Sequence, residues 1–234
     1  MIFGIIGHGR FGQLWANALL PYGEVIIIDK AKPDSKKTGL KNIDILFILV
    51  PISDFEKCCV EIKHWVNPST LIVDCCSVKV YPVKIMRKIF LPVQPILATH
   101  PLFGPDSVKK TGGLSEHKIV ICSLNTNSPK QKRLISVFEK MGLHIINTTP
   151  EDHDKQMASS QALVHFIGRG LAGLELKAQE LSTPDFQALL NINMMVMNDT
   201  QQLFLDMNRY NPFTKEMREK LIQQLISINQ EIES

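Results

Sequence analysis

The chain has 234 residues, of which 44% are hydrophobic and 21% are charged, so it holds enough apolar material for one full core and a smaller second unit. The net charge is only +3, and the lysines and arginines are scattered among acidic residues, which excludes the basic stripe of a nucleic-acid binder. The longest apolar run, IDILFILVPI at residues 43–52, has about half the length of a membrane span. We expect a cytoplasmic protein with neither a membrane nor a nucleic acid as partner, because the apolar strand that begins at Ile2 also leaves no room for a signal peptide.

Short apolar runs alternate with helical patterns over the first 150 residues. The runs lie at residues 2–6, 24–29, 44–50, 70–74, 95–100 and 118–122. The helical patterns reach Leu20 in the first case and then lie at about 53–64, 79–90 and 129–141. Continuous apolar strands that alternate with helices are typical of a parallel sheet covered on both faces, which predicts a doubly wound α/β domain.

The pattern changes after residue 150. From Glu151 to the end the sequence shows three helical stretches, broken near residues 182–184 and at Asn211–Pro212. Three helices make a thin core, so we predict a domain over residues 1–150 followed by a small all-helical domain over 151–234 that packs against a partner subunit. The methionines at 194, 195 and 197 are interpreted as core or interface packing.

The five cysteines favour neither a disulfide framework nor a zinc site. Cys58–Cys59 and Cys75–Cys76 are adjacent pairs and Cys122 stands alone, without C-x-x-C spacing. We interpret them as buried thiols in a protein without a structural metal.

The first chemical motif is GHGRFG, with glycines at 7, 9 and 12. Alone this pattern is weak, and a tight turn without a ligand is the alternative. Here it follows a strand, opens a helix and precedes Asp29 at the end of the second strand, which is the context of a dinucleotide fingerprint in a Rossmann-type domain. The glycines let the backbone approach the pyrophosphate, whose charge the helix N-terminus receives.

An acid at Asp29 accepts hydrogen bonds from the ribose hydroxyls and repels a 2′-phosphate, so NAD is the predicted cofactor. Lys30 beside it softens that discrimination and leaves NADP open as an alternative. The predicted cofactor-binding residues are Gly7, Gly9, Arg10, Phe11, Gly12, Asp29, Lys30, Val50 and Pro51.

The stretch ATHPLFGPD at residues 98–106 puts His100 after an apolar strand, in a connection stiffened by two prolines. Ligands of open α/β sheets bind beyond the carboxyl ends of the strands, and the segment DCCSVK at 74–79 also follows a strand. A neutral imidazole at His100 could take the hydroxyl proton when hydride leaves an alcohol carbon. Ser77 could hold that hydroxyl and Lys79 a substrate carboxylate. The alternatives are a loop-bracing histidine, a helix-capping serine and a solvated lysine.

These segments carry a family resemblance. GHGRFG, DCCSVK, THPLFGPDS and EDHDKQMASSQALVHFIGR resemble the successive motifs of the prephenate and arogenate dehydrogenases of tyrosine biosynthesis, over nearly the whole chain. The last 80 or so residues look most like the short plant-type arogenate dehydrogenases. The resemblance implies oxidative decarboxylation of prephenate or arogenate with NAD(P), and a homodimer built through the helical domain.

The resemblance also implies roles for single residues. His100 matches the catalytic histidine, Ser77 the serine that hydrogen-bonds the ring hydroxyl, and Lys79 the lysine of the S-V-K motif. His165 matches the histidine that the second domain lends to the substrate. Gln161 lies one helical turn before His165 and is predicted to face the same way. Without the resemblance, His165 is better interpreted as a helix-packing histidine.

One position departs from the family pattern. Many bacterial members carry an arginine in the helical domain that grips the substrate carboxylate, and this chain has Met195 there, so Lys79, Arg169 or a partner subunit must replace it. Asp106, directly after HPLFGP, is the predicted carboxylate for the ammonium of arogenate, with capping of the turn at Ser107 as its alternative role.

Two other functions stay open at this point. A 3-hydroxyacid dehydrogenase of another family would use a lysine in a glycine-rich helix, for which GRGLAGLELK offers Lys177. A non-catalytic NAD-binding regulatory protein would explain the missing arginine, but the presence of Ser77, Lys79 and His100 argues against it.

Overall fold

The computed structural model describes residues 1–28, 40–90, 92, 94–122 and 128–234. Contacts between Cα atoms divide the chain into two compact units, Met1–Pro150 and Glu151–Ser234. The first unit is built on a seven-stranded sheet, and the second consists of helices in the part of the chain described. The predicted α/β fold class, with a helical region after it, is confirmed.

The strands of the first unit lie in the order β2-β1-β3-β4-β5-β6-β7. Their bounds are β1 Ile2–Ile6, β2 Glu24–Ile28, β3 Ile45–Ile48, β4 Leu71–Asp74, β5 Ile96–Pro101, β6 Lys118–Cys122 and β7 His144–Thr148. The helices of this unit are α1 Arg10–Leu19, α2 Phe55–Ile62, α3 Val80–Phe90, α4 Pro105–Thr111 and α5 Pro129–Lys140. Short 3₁₀ turns cover Leu20–Tyr22, Leu40–Asn42 and Ile52–Asp54.

The sheet buries apolar side chains on both faces, as its continuous apolar strands predict. Alternate residues of the strands, such as Phe3 and Phe47, pack on one face with Trp15 of α1 and Phe138 of α5. Their neighbours along the strands point to the other face, which also buries apolar residues such as Ile48.

The far end of the sheet differs from the all-parallel expectation. Strands β1 to β5 run parallel, but β6 pairs antiparallel with β5, and β7 pairs parallel with β6. A parallel return needs a long crossover, whereas the chain between β5 and β6 contains only the seven-residue helix α4. Strand β7 was not predicted, because it is an exposed edge strand with the apolar pair Ile145 and Ile146 as its main signal.

The second unit has five helices where three were predicted. They are α6 Pro150–Ser159, α7 Gln161–Ala172, α8 Pro184–Met197, α9 Gln201–Arg209 and α10 Thr214–Glu233. The Oγ1 atom of Thr200 accepts from the backbone N–H of Leu203 at 3.1 Å and starts α9, a capping signal that the apolar spacing hides. Helices α7 and α8 approach closely at Gly168, where a Cβ would press on Val196.

Four of the five cysteines are buried, as the sequence predicts, and Cys75 is half-buried. Burial raises the pKa of Cys75 to about 12. Its thiol therefore stays protonated at neutral pH.

Candidate active site

The carboxyl ends of four neighbouring parallel strands form one edge of the sheet. Strands β1, β3, β4 and β5 follow each other in the sheet, and the segments after them carry the predicted site residues of the first unit. Neighbouring strands lie about 4.8 Å apart, so this edge spans roughly 14 Å from the glycine-rich turn to His100. That is the place where open α/β sheets bind ligands.

The glycine-rich turn between β1 and α1 has the shape of a phosphate cradle. Gly7 has φ +105°, and a Cβ there would overlap the carbonyl of Leu49, so only glycine fits. A Cβ at Gly12 would overlap the carbonyl oxygen of Gly7. At Gly9, the N-cap of α1, a Cβ would meet no protein atom within 4 Å. The turn thus holds backbone tightly on its inner side and leaves open space before the helix N-terminus, which fits a dinucleotide pyrophosphate.

Of the other predicted cofactor-binding residues after the strands, two lie beside the glycine turn and two lie outside the described residues. Val50 and Pro51 follow β3; Val50 is buried and Pro51 is exposed. They lie beside the glycine turn, because the preceding residue, Leu49, donates its backbone N–H to the carbonyl of Ile6 at 2.7 Å. Asp29 and Lys30 lie outside the described residues, so the ribose half of the fingerprint stays a prediction.

The start of α1 contacts the segment after β5. Nη2 of Arg10 donates to Oδ1 of Asp106 at 2.5 Å, and both side chains are more than half exposed. The ring of Phe11 lies 6.3 Å from that of Phe103 and stacks on Trp15, so it belongs to the aromatic core. The structure therefore brings the predicted cofactor and substrate segments together. It also compensates the charge of Asp106, in the first turn of α4, with a guanidinium.

His100 lies inside β5, at the end of the apolar run predicted over residues 95–100, rather than in the connection after it. Pairing with β6 continues through His100, opposite Val120, and Pro101, opposite Ile119. Proline suits this extended backbone, so the HP dipeptide lengthens the strand instead of ending it. The side chain of His100 is buried, with 2% of the residue exposed.

Lys79 is also buried, which contradicts its predicted contact with a substrate carboxylate. The residue is 0% exposed, its Nζ pairs with the carboxylate of Asp74, and it donates to the carbonyl of Thr99 at 2.5 Å. Burial alone would lower the pKa of Lys79, but the charge of Asp74 outweighs this and the pKa is raised. The ammonium therefore stays charged inside the protein.

Ser77 lies in the loop between β4 and α3, one strand away from His100 in the sheet. The residue is half-buried, and within the part of the chain described its hydroxyl makes no hydrogen bond. It does not cap α3. The hydroxyl is thus free to meet a ligand at this edge of the sheet.

In the second unit, His165 and Gln161 lie one turn apart on α7, as predicted. Nε2 of His165 lies 3.5 Å from Oδ2 of Asp199, whose side chain is 42% exposed. Nδ1 of His165 is buried and has no hydrogen-bond partner among the described residues. Burial lowers the pKa of His165, with Asp199 opposing and Arg169 adding to the shift, so the imidazole is neutral at pH 7.

Arg169 serves the helical unit itself rather than standing free for a carboxylate. Its Nη2 donates to the carbonyl of Asp199 at 2.7 Å, and its Nη1 to Oε1 of Gln201 at 2.5 Å. Its guanidinium lies 5.0 Å from the ring centre of Phe204. Arg169 therefore ties together the turn between α8 and α9 that carries Asp199. Met195, at the position of the missing arginine, is 55% exposed.

Sequence reasoning missed two carboxylates at these sites. Asp74 ends a wholly apolar strand, which is itself a signal, because a buried acid needs a partner. Asp199 stands in an N-D-T sequence between two helices and gave no periodic signal. Among the described residues, no group of three or more His, Cys, Asp and Glu side chains is placed to hold a metal ion. None of the helices described there combines the length and the apolar composition of a membrane span.

The sequence matches two family models. The nucleotide-binding domain of prephenate dehydrogenase matches residues 23–147, and the TYRAAT1-like C-terminal domain matches residues 170–234. Arogenate dehydrogenase 2 of Arabidopsis thaliana is 26% identical over 97% of this chain and 69% of its own length. A probable arogenate/prephenate dehydrogenase of Methanocaldococcus jannaschii is 27% identical over 96% of this chain and 55% of its own length. The chain spans 37% of a further relative, arogenate dehydrogenase 1 of Arabidopsis thaliana.

Solved structures share the fold. Prephenate dehydrogenase of A. aeolicus, in complex with hydroxyphenyl propionate and NAD⁺, superposes with a TM-score of 0.74 at 16% identity, over 99% of this chain and 90% of that one. Arogenate dehydrogenase of Synechocystis gives a TM-score of 0.67 at 20% identity, over 98% and 93%.

A glycine cradle at the carboxyl edge of a mostly parallel sheet defines a dinucleotide-binding domain. The chain belongs to the prephenate dehydrogenase family, because the family's nucleotide-binding domain matches more than half of it. The resemblance stated from its motifs is thereby confirmed.

Proposed function

We propose that this protein catalyses the oxidative decarboxylation of arogenate or prephenate, giving tyrosine or 4-hydroxyphenylpyruvate, with NAD as the preferred cofactor. The observation that carries the proposal is the position of His100 on β5, at the same sheet edge as the glycine cradle and Ser77. Relatives named as arogenate and prephenate dehydrogenases support it. The preference for NAD rests on the sequence position of Asp29.

In this proposal, His100 acts as general base and Ser77 as the hydrogen-bond donor that orients the ring hydroxyl. A bound NAD would supply the hydride acceptor for the carbon that bears this hydroxyl. His100 takes the hydroxyl proton, the bond to the ring carboxylate breaks, and its electron pair makes the ring aromatic as carbon dioxide leaves. The imidazolium then returns its proton to the phenolic oxygen, so His100 ends the cycle neutral.

We further propose that arogenate is the preferred substrate. Arogenate carries an ammonium where prephenate carries a keto group, so a carboxylate near that end favours arogenate. Asp106 is less suited than the sequence predicted, because it already forms an ion pair with Arg10. Asp199, 3.5 Å from the predicted substrate residue His165 and 42% exposed, offers the carboxylate instead. A charge-assisted hydrogen bond contributes about 1.5–3 kcal/mol, or roughly 10- to 150-fold in relative kcat/KM.

The alternative based on Lys177 loses its basis. Helix α7 ends at Ala172, and Lys177 lies exposed in the irregular segment after it, so it is not the helix-borne lysine that a 3-hydroxyacid dehydrogenase of that type requires.

We also propose a homodimer through the helical unit, as the family resemblance implies. The twenty-residue helix α10 exposes Ile222, Leu225, Ile226 and Ile228, and α8 exposes three methionines. Apolar side chains in such a row are typical of an interface. Light scattering should give a dimer mass for the wild type and a monomer mass for Leu225→Glu; a monomeric wild type would refute the proposed dimer.

The proposal as a whole is tested by steady-state assays of arogenate and prephenate, each with NAD and NADP, alongside a panel of 3-hydroxyacids. We expect turnover of arogenate with NAD at the highest kcat/KM. Turnover of a 3-hydroxyacid alone would refute the proposed reaction, and a higher kcat/KM for prephenate would refute the substrate preference.

A further inference from the structure

The strand that carries His100 loses one of its two neighbours just before the histidine. Parallel pairing of β4 with β5 ends at Asp74, opposite Ala98. From Thr99 onward, the pairing of β5 with described strands is with its antiparallel neighbour β6 alone. Backbone pairing between strands therefore holds the segment with His100 on its β6 side.

Three buried side chains hold β5 on the side where its pairing with β4 has ended. The hydroxyl of Thr99 donates to the backbone carbonyl of Asp74 at 2.6 Å. The ammonium of Lys79 donates to the backbone carbonyl of Thr99 at 2.5 Å and pairs with the carboxylate of Asp74. The same carboxylate accepts from the backbone N–H of Cys76 at 2.9 Å. We call Asp74, Lys79 and Thr99 the clamp; all three residues are 0% exposed.

Stability alone gives no reason for this arrangement. Removing two charges from water is costly, and apolar residues of similar volume often replace a buried ion pair without loss. What an apolar pair cannot do is donate to the carbonyl of Thr99, which precedes His100 directly in the chain. One carboxylate oxygen of Asp74, Oδ2, has no partner among the described residues, so the pair is not arranged for the fullest possible hydrogen bonding.

We propose that Lys79 is a positioning residue for the proposed reaction: anchored by Asp74, its ammonium fixes the carbonyl of Thr99 and thereby the direction of the His100 imidazole. The inference rests on the proposed function, in which His100 is the general base. It assigns to Lys79 a role inside the protein in place of the predicted contact with the substrate.

The test compares Lys79→Met with the double variant Asp74→Asn/Lys79→Met. The single variant leaves the Asp74 carboxylate buried without its cation, so it loses stability whatever the role of Lys79. The double variant removes both charges and keeps an acceptor for the N–H of Cys76, so its Tm should return close to that of the wild type. A matched control is Asp44→Asn/Lys130→Met, which removes a partly exposed Asp–Lys pair with a 3.2 Å separation in the same unit.

The inference predicts that the double variant keeps its KM for NAD while kcat falls about 10- to 100-fold, the size of effect that a small misplacement of a reacting group has. The pH profile of kcat/KM should also shift, because His100 no longer has a fixed environment. The control should match the wild type in both. If the double variant matches the wild type in kcat and in pH profile, Lys79 only neutralises Asp74 and the inference is overturned.

Two further measurements test the role of the clamp if the double variant does not fold or if the proposed function fails. If the double variant does not fold, the near-isosteric Thr99→Val removes the hydroxyl bond to Asp74; unchanged kcat in that variant overturns the clamp. If the wild type turns over neither arogenate nor prephenate, the proposed function fails, and the NMR titration of the His100 ring then decides the positioning role. A pKa of His100 that differs between wild type and double variant supports the clamp, and identical titrations overturn it.

Discussion

Gly9→Ala should separate cofactor binding from folding. Gly9 has φ −72° and ψ −171°, which alanine adopts without strain, and its Cβ would meet no protein atom within 4 Å. We therefore expect the free energy of unfolding to stay within about 0.5 kcal/mol of the wild-type value, as for ordinary surface changes. The methyl group, however, would occupy the space in which a pyrophosphate approaches the N-terminus of α1.

The expected loss of affinity follows from the bonds at that helix end. Displacing the phosphate from one charge-assisted hydrogen bond costs about 1.5–3 kcal/mol, which raises Kd for NAD roughly 10- to 150-fold. Isothermal titration calorimetry measures that Kd, and thermal unfolding without cofactor measures the stability.

Two matched glycines serve as controls. Gly104→Ala, also at an N-cap with open space around it, should change neither quantity. Gly12→Ala should lower Tm, because its Cβ would overlap the backbone of Gly7 and overpacking costs about 1–3 kcal/mol. If Gly9→Ala binds NAD as tightly as the wild type, the pyrophosphate does not lie at this turn, and the assignment of the cradle is wrong.

Four other predictions address the proposed chemistry and the helical unit. His100→Ala should lower kcat about 10²- to 10⁴-fold in stopped-flow or steady-state assays, with NAD binding kept, because a general base is lost; near-normal kcat would leave His100 a structural role only. Asp29→Ser should narrow the ratio of kcat/KM for NAD over NADP, and a wild type that prefers NADP would refute the role of Asp29. Asp199→Asn should lower the arogenate-to-prephenate ratio of kcat/KM about 10- to 150-fold while Asp106→Asn leaves it nearly unchanged; the reverse result would return the selecting role to Asp106. Burial lowers the pKa of His165 in the folded state, so the unfolded chain binds a proton that the folded unit does not, and the free energy of unfolding should fall as the pH drops below about 6.5. In urea titrations between pH 7 and 5, His165→Gln should make this fall less steep. An unchanged pH dependence in the variant would contradict the lowered pKa.

The sequence predicts most strands and helices of the first unit, because each of these carries a regular signal. Strands buried on both faces are continuous apolar runs, and the glycine motif sits between a strand and a helix where the dinucleotide fingerprint requires it. The reversal at β6 has no comparable signal. The connection between β5 and β6 is too short for a parallel crossover, and its helix α4 was not predicted from the sequence.

The candidate site residues were chosen by residue type, and their contacts could not be predicted from the sequence. Lys79 looks the same in sequence whether its ammonium faces a substrate or an internal carboxylate, since only the fold brings Thr99 within reach of it. Arg169 is a similar case, because the carbonyl groups it binds belong to a turn about 30 residues further along the chain. Long-range hydrogen bonds of this kind leave no periodic pattern, so single residues with two plausible partners cannot be assigned from sequence.

The position of His100 inside the sheet affects how closely its imidazole is held in the geometry that the proposed reaction needs. A histidine in a loop would depend on the loop for its direction, whereas groups on strands are held more closely to their working geometry. Here β6 holds one side of the segment through the pair His100–Val120, and the clamp holds the other through Thr99. The segment that follows His100, Phe103–Asp106, contacts the start of α1 through Arg10 and Phe11. One short segment thus carries the proposed base at its beginning and contacts α1, the helix after the glycine cradle, at its end. A displacement at one end of the segment should therefore displace the other end.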